Sequence, residues 1–66
     1  MNTGKSLRIC LVKHDMSQTK LAQELNVSRA SINRFCRTES MSMNSIQRFA
    51  EYFGISVNEF IALGEE

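Results

Sequence analysis

Residues 21–35 read LAQELNVSRASINRF. Apolar residues recur at helical spacing on both sides of Asn26, which predicts two short helices with one break between them. The break is too short for an ordinary loop, so its residue must adopt a left-handed conformation. Glycine does this most readily and asparagine next. Ala22 is small enough to let the helices cross closely at a steep angle. The stretch therefore predicts a helix-turn-helix unit over about residues 18–37.

The second helix of this unit carries an unusual outer face. Ser28 is its predicted N-cap, and Ile32 and Phe35 are its buried residues. The polar residues left outside include Arg29 and Arg34, and no Asp or Glu occurs between positions 25 and 38. The pattern is compatible with a polyanionic partner, and the alternative is a face that is merely solvated.

The overall charge distribution points the same way. The net charge is +1 at pH 7, but it is unevenly divided along the chain. Residues 1–37 contain seven basic and two acidic side chains, a net charge of +5. Residues 38–66 contain one basic and five acidic side chains, a net charge of −4. Such asymmetry between halves is a hint of a basic side that meets a polyanion, but charged faces are more often merely solvated.

Composition excludes several classes of protein. A chain of 66 residues with 42% hydrophobic and 23% charged residues predicts one small globular domain. The absence of proline favours helices. No apolar run approaches the roughly 18–20 residues that span a bilayer, and no signal peptide is visible, so we expect a soluble intracellular protein. Cys10 and Cys36 fit neither a disulfide framework nor a zinc site, and we expect both to be reduced core residues.

The remaining segments also predict helices. The first helix should run from about Lys5 to His14 with an inward stripe that ends at His14 as a partly buried cap. Ile9 and Val12 form a second apolar strip, which would cover this helix on two sides. Residues 38–42 should form a polar loop. A fourth helix is expected from about Met43 to Gly54, with inward residues Met43, Ile46, Phe49, Ala50 and Phe53. A capping box at residues 56–59 opens a last helix that ends at Leu63.

No catalytic constellation is visible, and we expect no enzyme and no metal. His14 has no nucleophile or paired carboxylates at a plausible spacing. Residues 4–6 read GKS, the end of a phosphate-binding loop, but the earlier glycine and the preceding strand of that motif are absent.

With these residues, the sequence resembles the phage repressor and Cro family of DNA-binding domains, the XRE-type helix-turn-helix family. The resemblance extends from about Leu7 to Ile61. Counted from Gln18, the family's apolar positions four, eight, ten, fifteen and eighteen are occupied by Leu21, Leu25, Val27, Ile32 and Phe35. The small fifth residue is Ala22 and the turn residue is Asn26. The resemblance implies an all-α, compact five-helix lambda-repressor-like DNA-binding domain over residues 1–66.

Three departures from the family pattern are visible, and the first is Asn26 in place of glycine at the turn, which is tolerated there. Many relatives pair an arginine in the first helix with a glutamate in the third, and this chain has Leu11 and Cys36 there. An apolar pair at such a position can be neutral or stabilising. The loop at residues 38–42 is also about one residue shorter than usual, which affects where its phosphate contacts would fall.

The resemblance implies which residues meet DNA. The start of the third helix would enter the major groove, where each base pair has a distinct pattern of donors and acceptors. The predicted base contacts are Ser28, Arg29, Ala30, Asn33 and Arg34. In the family, a glutamine at the start of the second helix touches a phosphate and braces the third, which here is Gln18. The predicted phosphate contacts are Ser17, Gln18, Arg37, Thr38, Ser40, Ser42 and Asn44.

Relatives dimerise near the start of the fifth helix, so the expected interface is Ile55, Val57, Glu59 and Ile61. So small a surface could dimerise on DNA rather than in free solution. The prediction is a sequence-specific, double-stranded-DNA-binding transcriptional regulator in a bacterial or phage-infected cytoplasm. A chain with no room for an effector domain suits a Cro-like repressor on a near-palindromic operator. No cofactor or small-molecule ligand is expected.

Two other hypotheses remain open. An antitoxin or a restriction–modification controller could share this fold and bind DNA. A helix-turn-helix domain could also serve protein–protein contact, with its arginines facing an acidic partner.

Overall fold

The computed structural model describes residues 1–65, which form five helices and no strands. The helices are α1 (Thr3–Lys13), α2 (Gln18–Leu25), α3 (Arg29–Arg37), α4 (Met43–Phe53) and α5 (Val57–Leu63). Helix α1 packs against both α3 and α5, α2 packs mainly against α3, and α4 packs against α5. The predicted all-α architecture with a helix-turn-helix in α2 and α3 is confirmed. Glu66, the last residue of the predicted domain, lies outside the described residues.

Four of the five helices begin with the same local chemistry. A serine caps α2, α3, α4 and α5, and each hydroxyl oxygen accepts a hydrogen bond from the backbone N–H three residues later. An apolar residue precedes each serine and another follows it four residues later, the spacing of a hydrophobic staple. All eight of these apolar residues are buried or pack against the core. The repeated pattern therefore sets both the start and the inward side of each helix.

Three helix ends also share one geometry. Asp15, Asn26 and Gly54 have φ values of 51°, 56° and 72°, in the left-handed region. After α2, the Asn26 N–H bonds to the Gln23 carbonyl at 3.2 Å, and the Val27 N–H bonds to the Ala22 carbonyl at 3.0 Å. This is the Schellman pattern of bonds. The left-handed conformation predicted at Asn26 is therefore confirmed.

The core lies between the five helices. Its buried hydrophobic residues are Leu7, Cys10, Leu11, Leu21, Ala22, Ile32, Cys36, Met41, Ile46, Phe49, Ala50, Phe53 and Phe60. The rings of Phe35 and Phe49 meet edge to face with centroids 5.2 Å apart. The prediction that both cysteines belong to the core is confirmed, since each is only 2% exposed.

Several predictions about the first and fourth helices were wrong. Helix α1 begins two residues earlier than expected because Asn2 caps it, and it ends at Lys13, with His14 as its C-cap. Val12 is 80% exposed because it lies opposite the buried stripe. Met43 is 53% exposed, whereas Met41 in the supposedly polar loop is only 7% exposed. Met41 precedes the Ser42 cap and takes the staple position, which leaves Met43 outside on the first turn.

The first turn of α1 is pinned to the loop after α3. The Thr3 and Gly4 N–H groups donate to the carbonyls of Glu39 and Thr38 at 3.0 and 2.8 Å. The buried Thr3 hydroxyl accepts from the Met41 N–H at 2.8 Å. A Cβ atom on Gly4 would lie 2.7 Å from the Cys36 carbonyl oxygen and would also collide with that of Thr38. Only glycine permits this approach, which fixes the loop beside the end of α3.

His14 differs in burial from its prediction as a partly buried cap. Its backbone N–H bonds to the Cys10 carbonyl at 3.0 Å, so it does cap α1. Its side chain is exposed, and the centroid of its ring lies 4.9 Å from the centroid of the Phe53 ring. The residue therefore covers the edge of the core rather than entering it.

Candidate nucleic-acid interface

Helix α3 has one buried and one exposed face. Ile32 is fully buried, whereas Arg29, Arg34 and Arg37 are exposed together with Ala30 and Asn33. None of the three arginines forms an ion pair with any residue in the range 1–65. A shallow depression on this face is lined by Arg29, Ala30 and Asn33. The face therefore presents unneutralised positive charge around a concave surface.

Ser28 is held at the start of this face. Its hydroxyl oxygen accepts from the Ser31 N–H at 3.1 Å, and the two hydroxyl groups lie 2.9 Å apart. The residue is exposed, and its first task is to cap α3. A hydroxyl group has one donor and two acceptor lone pairs, so capacity remains for a further hydrogen bond.

Gln18 and Asn33 join the two helices of the helix-turn-helix unit. The Nδ2 atom of Asn33 donates to the Oε1 atom of Gln18 at 3.3 Å. This contact leaves the Asn33 carbonyl oxygen and one Asn33 N–H unused, and it leaves the Gln18 amide NH₂ group unused. Gln18 is therefore bonded to α3, and both side chains keep groups for a ligand.

The start of α2 also offers donors. The Ser17 hydroxyl accepts from the Lys20 N–H at 3.0 Å. The first N–H groups of a helix have no partner inside the helix and carry a partial positive charge. Ser17 and Gln18 lie at this end, where an anion would be favoured.

The segment after α3 holds the other predicted phosphate contacts. The Thr38 hydroxyl donates to the Arg34 carbonyl at 2.8 Å, and the Ser42 hydroxyl caps α4. Ser40 and Asn44 are exposed. Since α1 holds the backbone of this loop, its polar side chains lie on a fixed frame.

The four residues predicted to form a dimer interface have mixed surroundings. Ile55, Val57 and Ile61 are half-buried and pack against the core. The Glu59 carboxylate accepts from the Ser56 N–H at 3.1 Å, which completes the predicted capping box. Each residue therefore has a role within its own chain and retains some exposed surface.

Sequence reasoning missed one residue beside this unit. Arg48 of α4 extends its guanidinium group to the Leu25 carbonyl at the end of α2, with an Nη2 to oxygen distance of 2.9 Å. Nothing in the sequence pattern distinguishes Arg48 from any other exposed arginine on a helix. Only the packing of α4 beside the turn identifies it.

The described residues were compared with the features of a metal site, a reactive thiol and a membrane-spanning helix. Residues 1–65 contain no group of three or more His, Cys, Asp or Glu side chains that could hold a metal ion. Burial raises the pKa of the Cys10 and Cys36 thiols, and the nearby Lys13 and Arg8 oppose this only partly. Buried thiols of raised pKa are poor nucleophiles. Within the same range, no helix is both long and apolar enough to cross a membrane.

Comparison with known proteins identifies the family. Searches against curated proteins and against solved structures gave no significant match. A family model described as the Cro/C1-type HTH DNA-binding domain matches residues 6–66. This match covers most of the chain, including α2, α3 and the residues that join them. The chain therefore belongs to the Cro/C1-type helix-turn-helix family of DNA-binding domains.

Proposed function

We propose that the protein is a sequence-specific transcriptional regulator that acts as a Cro-like repressor in the bacterial or phage-infected cytoplasm. It binds a near-palindromic operator as a dimer, with α3 of each copy in the major groove. One observation carries this proposal. The exposed face of α3 carries three arginines, none of which forms an ion pair within residues 1–65, beside Asn33, which bonds to Gln18.

The side chains on this face match the chemistry of base edges. Arg29 and Arg34 each have a planar fork of donors that fits the O6 and N7 atoms of guanine. Asn33 keeps one donor and one acceptor after its bond to Gln18, the pair that adenine N7 and N6 require. The Ala30 methyl group can pack against a thymine methyl group. The Ser28 hydroxyl can donate to an acceptor or accept from a donor on a base edge.

Phosphate contacts would flank this helix on two sides. Ser17 and Gln18 lie where the free N–H groups of α2 favour an anion. On the other side, Arg37 is an exposed cation at the end of α3. The remaining proposed phosphate contacts lie between α3 and the start of α4, and they are Thr38, Ser40, Ser42 and Asn44. These contacts would position α3 without selecting a sequence.

The proposed dimer uses the exposed parts of Ile55, Val57, Glu59 and Ile61. A two-fold pair would place two copies of α3 about one turn of DNA apart, roughly 34 Å. Because the surface is small, DNA would contribute to pairing, so the dimer forms on the operator if not in free solution.

Selection of binding sites from a random duplex library, at fixed moderate salt, tests the proposal. The expected result is a two-fold symmetric site with half-sites about 10 base pairs apart. The control is the same selection with a variant in which Arg29, Asn33 and Arg34 are all alanine, which should enrich nothing. If the intact protein enriches no sequence and its binding vanishes uniformly with salt, operator recognition is ruled out. An acidic protein partner for α3 would then be the better explanation.

A further inference from the structure

The end of α2 is held from outside the helix-turn-helix unit. Two of its last carbonyls, those of Ala22 and Gln23, accept from the Val27 and Asn26 N–H groups within the turn. The Leu25 carbonyl instead accepts from the Arg48 guanidinium of α4 at 2.9 Å. This side-chain bond is the only one between α4 and α2 in the described part of the chain.

This contact lies close to the start of α3. Leu25 is the last residue of α2, Asn26 makes the left-handed turn, and Ser28 caps α3 three residues later. A cation at a helix C-terminus is favoured by the helix dipole as well as by the hydrogen bond. A hydrogen bond from a charged donor is among the stronger ones in proteins. Without the contact, the turn that joins α2 to α3 would lose its side-chain bond to α4.

We infer that Arg48 is a positioning residue for DNA recognition, which fixes the turn between α2 and α3 without itself reading or neutralising the DNA. The inference rests on the proposed function, since it assigns a role within the same binding surface. If only a fraction of molecules holds α3 in the binding orientation, the apparent Kd rises in inverse proportion to that fraction. Arg48 keeps nearly all molecules in the orientation of α3 that binds DNA.

The main rival role for an exposed arginine in such a protein is a phosphate contact. The two roles differ in their dependence on salt. Loss of one phosphate contact reduces the slope of log K against log salt concentration by about 0.9. Loss of a positioning contact weakens binding at every salt concentration and leaves the slope unchanged. The slope therefore distinguishes them.

The test compares Arg48→Met, which keeps most of the apolar stem, with wild type and with Gln47→Met as a control at the adjacent exposed position. Affinity for the duplex selected by wild type is measured over a range of salt, at a temperature where all variants are folded. We expect Arg48→Met to bind about tenfold more weakly, equivalent to about 1.4 kcal/mol, with an unchanged salt slope and unchanged sequence preference. Arg48→Lys should restore part of the loss, because lysine can still donate to the carbonyl.

A second measurement needs no DNA. Amide hydrogen exchange of the free protein should be faster at Asn26 and Val27 in Arg48→Met, relative to the core amide of Phe49. The ratio separates loosening of the turn from a general loss of stability. If wild type shows no sequence preference, the proposed function fails while this measurement still tests the contact.

Three results would overturn the inference. An unchanged affinity in Arg48→Met would remove the positioning role. A salt slope reduced by about one would make Arg48 a phosphate contact instead. Equal acceleration of exchange at the turn and at Phe49 would make the contact one of general stability.

Discussion

Gly4→Ala should destabilise the protein, although alanine is the better helix former. Position 4 lies in the first turn of α1, where the propensity gain is at most about 1 kcal/mol. Against this, the new Cβ would lie 2.9 Å from the Phe35 carbonyl oxygen and 2.7 Å from that of Cys36. These neighbours are backbone atoms at the end of α3 and cannot rotate away. The helix or the loop must therefore shift.

The size of the effect follows from what that shift disturbs. Overpacking of a well-packed site costs about 1–3 kcal/mol. The displaced turn also carries the N–H bonds of Thr3 and Gly4 to the loop carbonyls, each worth about 1 kcal/mol net. Steric cost exceeds propensity gain, and the expected net loss is about 2–4 kcal/mol. A domain of this size has a free energy of unfolding of about 3–10 kcal/mol, so the substitution would remove a large part of it.

Urea denaturation followed by circular dichroism measures this loss. The midpoint should fall with little change in the slope m. Arg8→Ala is the matched control, since it alters an exposed residue one turn later on the same helix and should change stability by less than about 0.5 kcal/mol. A Gly4→Ala variant as stable as wild type, or more so, would show that α1 and the loop can separate freely. The account of a pinned loop would then be refuted.

Three further predictions concern the interface and the thiols. Arg29→Ala should lose about 1–3 kcal/mol of discrimination at one base position in each half-site, as measured by repeating the site selection, while other positions keep their preference. A double-mutant cycle of Gln18→Ala and Asn33→Ala, measured by DNA affinity, should give a coupling energy of about 0.5 kcal/mol or more. Strictly additive effects would show that the hydrogen bond between the two side chains does not support DNA binding. Because burial raises the pKa of Cys10 and Cys36 in the folded state, their stabilising contribution is complete below the ordinary value of 9.0 and should decline as pH rises past it. Urea midpoints between pH 7 and 10 test this, and a midpoint that increased over that range would contradict it.

The features predicted correctly from sequence depend on local chemistry. Asn26 is a left-handed turn residue between two apolar periodicities, and Ser56 with Glu59 forms a capping box whatever lies around it. Both signals are complete within a few residues, so the sequence is sufficient to find them. The exposed face of α3 was predictable for the same reason, since a helix that buries Ile32 must turn Arg34, two residues later, to the opposite side.

The features that were missed depend on contacts between distant segments or on a choice between similar neighbours. Met41 and Met43 flank the same serine, and only the staple position before the cap decides which one is buried. Arg48 contacts the end of α2, 23 residues earlier in the chain, through a single hydrogen bond. Gly4 is required by the carbonyls at the end of α3. The staple at Met41 is a local pattern that the sequence interpretation overlooked. No local pattern encodes the contacts of Arg48 and Gly4, because each depends on how whole helices pack.

A comparison of magnitudes favours the dimeric form of the proposed function. Three base-reading side chains, each worth about 1–3 kcal/mol, give one copy roughly 3–9 kcal/mol of discrimination. A genome offers about 10⁶–10⁹ competing sites, which at about 1.4 kcal/mol per factor of ten requires roughly 8–13 kcal/mol. One copy reaches at most the lower part of that range even if every contact is good. Two copies on a symmetric operator double the discrimination, and they do so only if α3 is held in one orientation in each. In the proposed complex, the contacts that fix α3 from α1, α2 and α4 would therefore be as necessary to selectivity as the side chains that meet the bases.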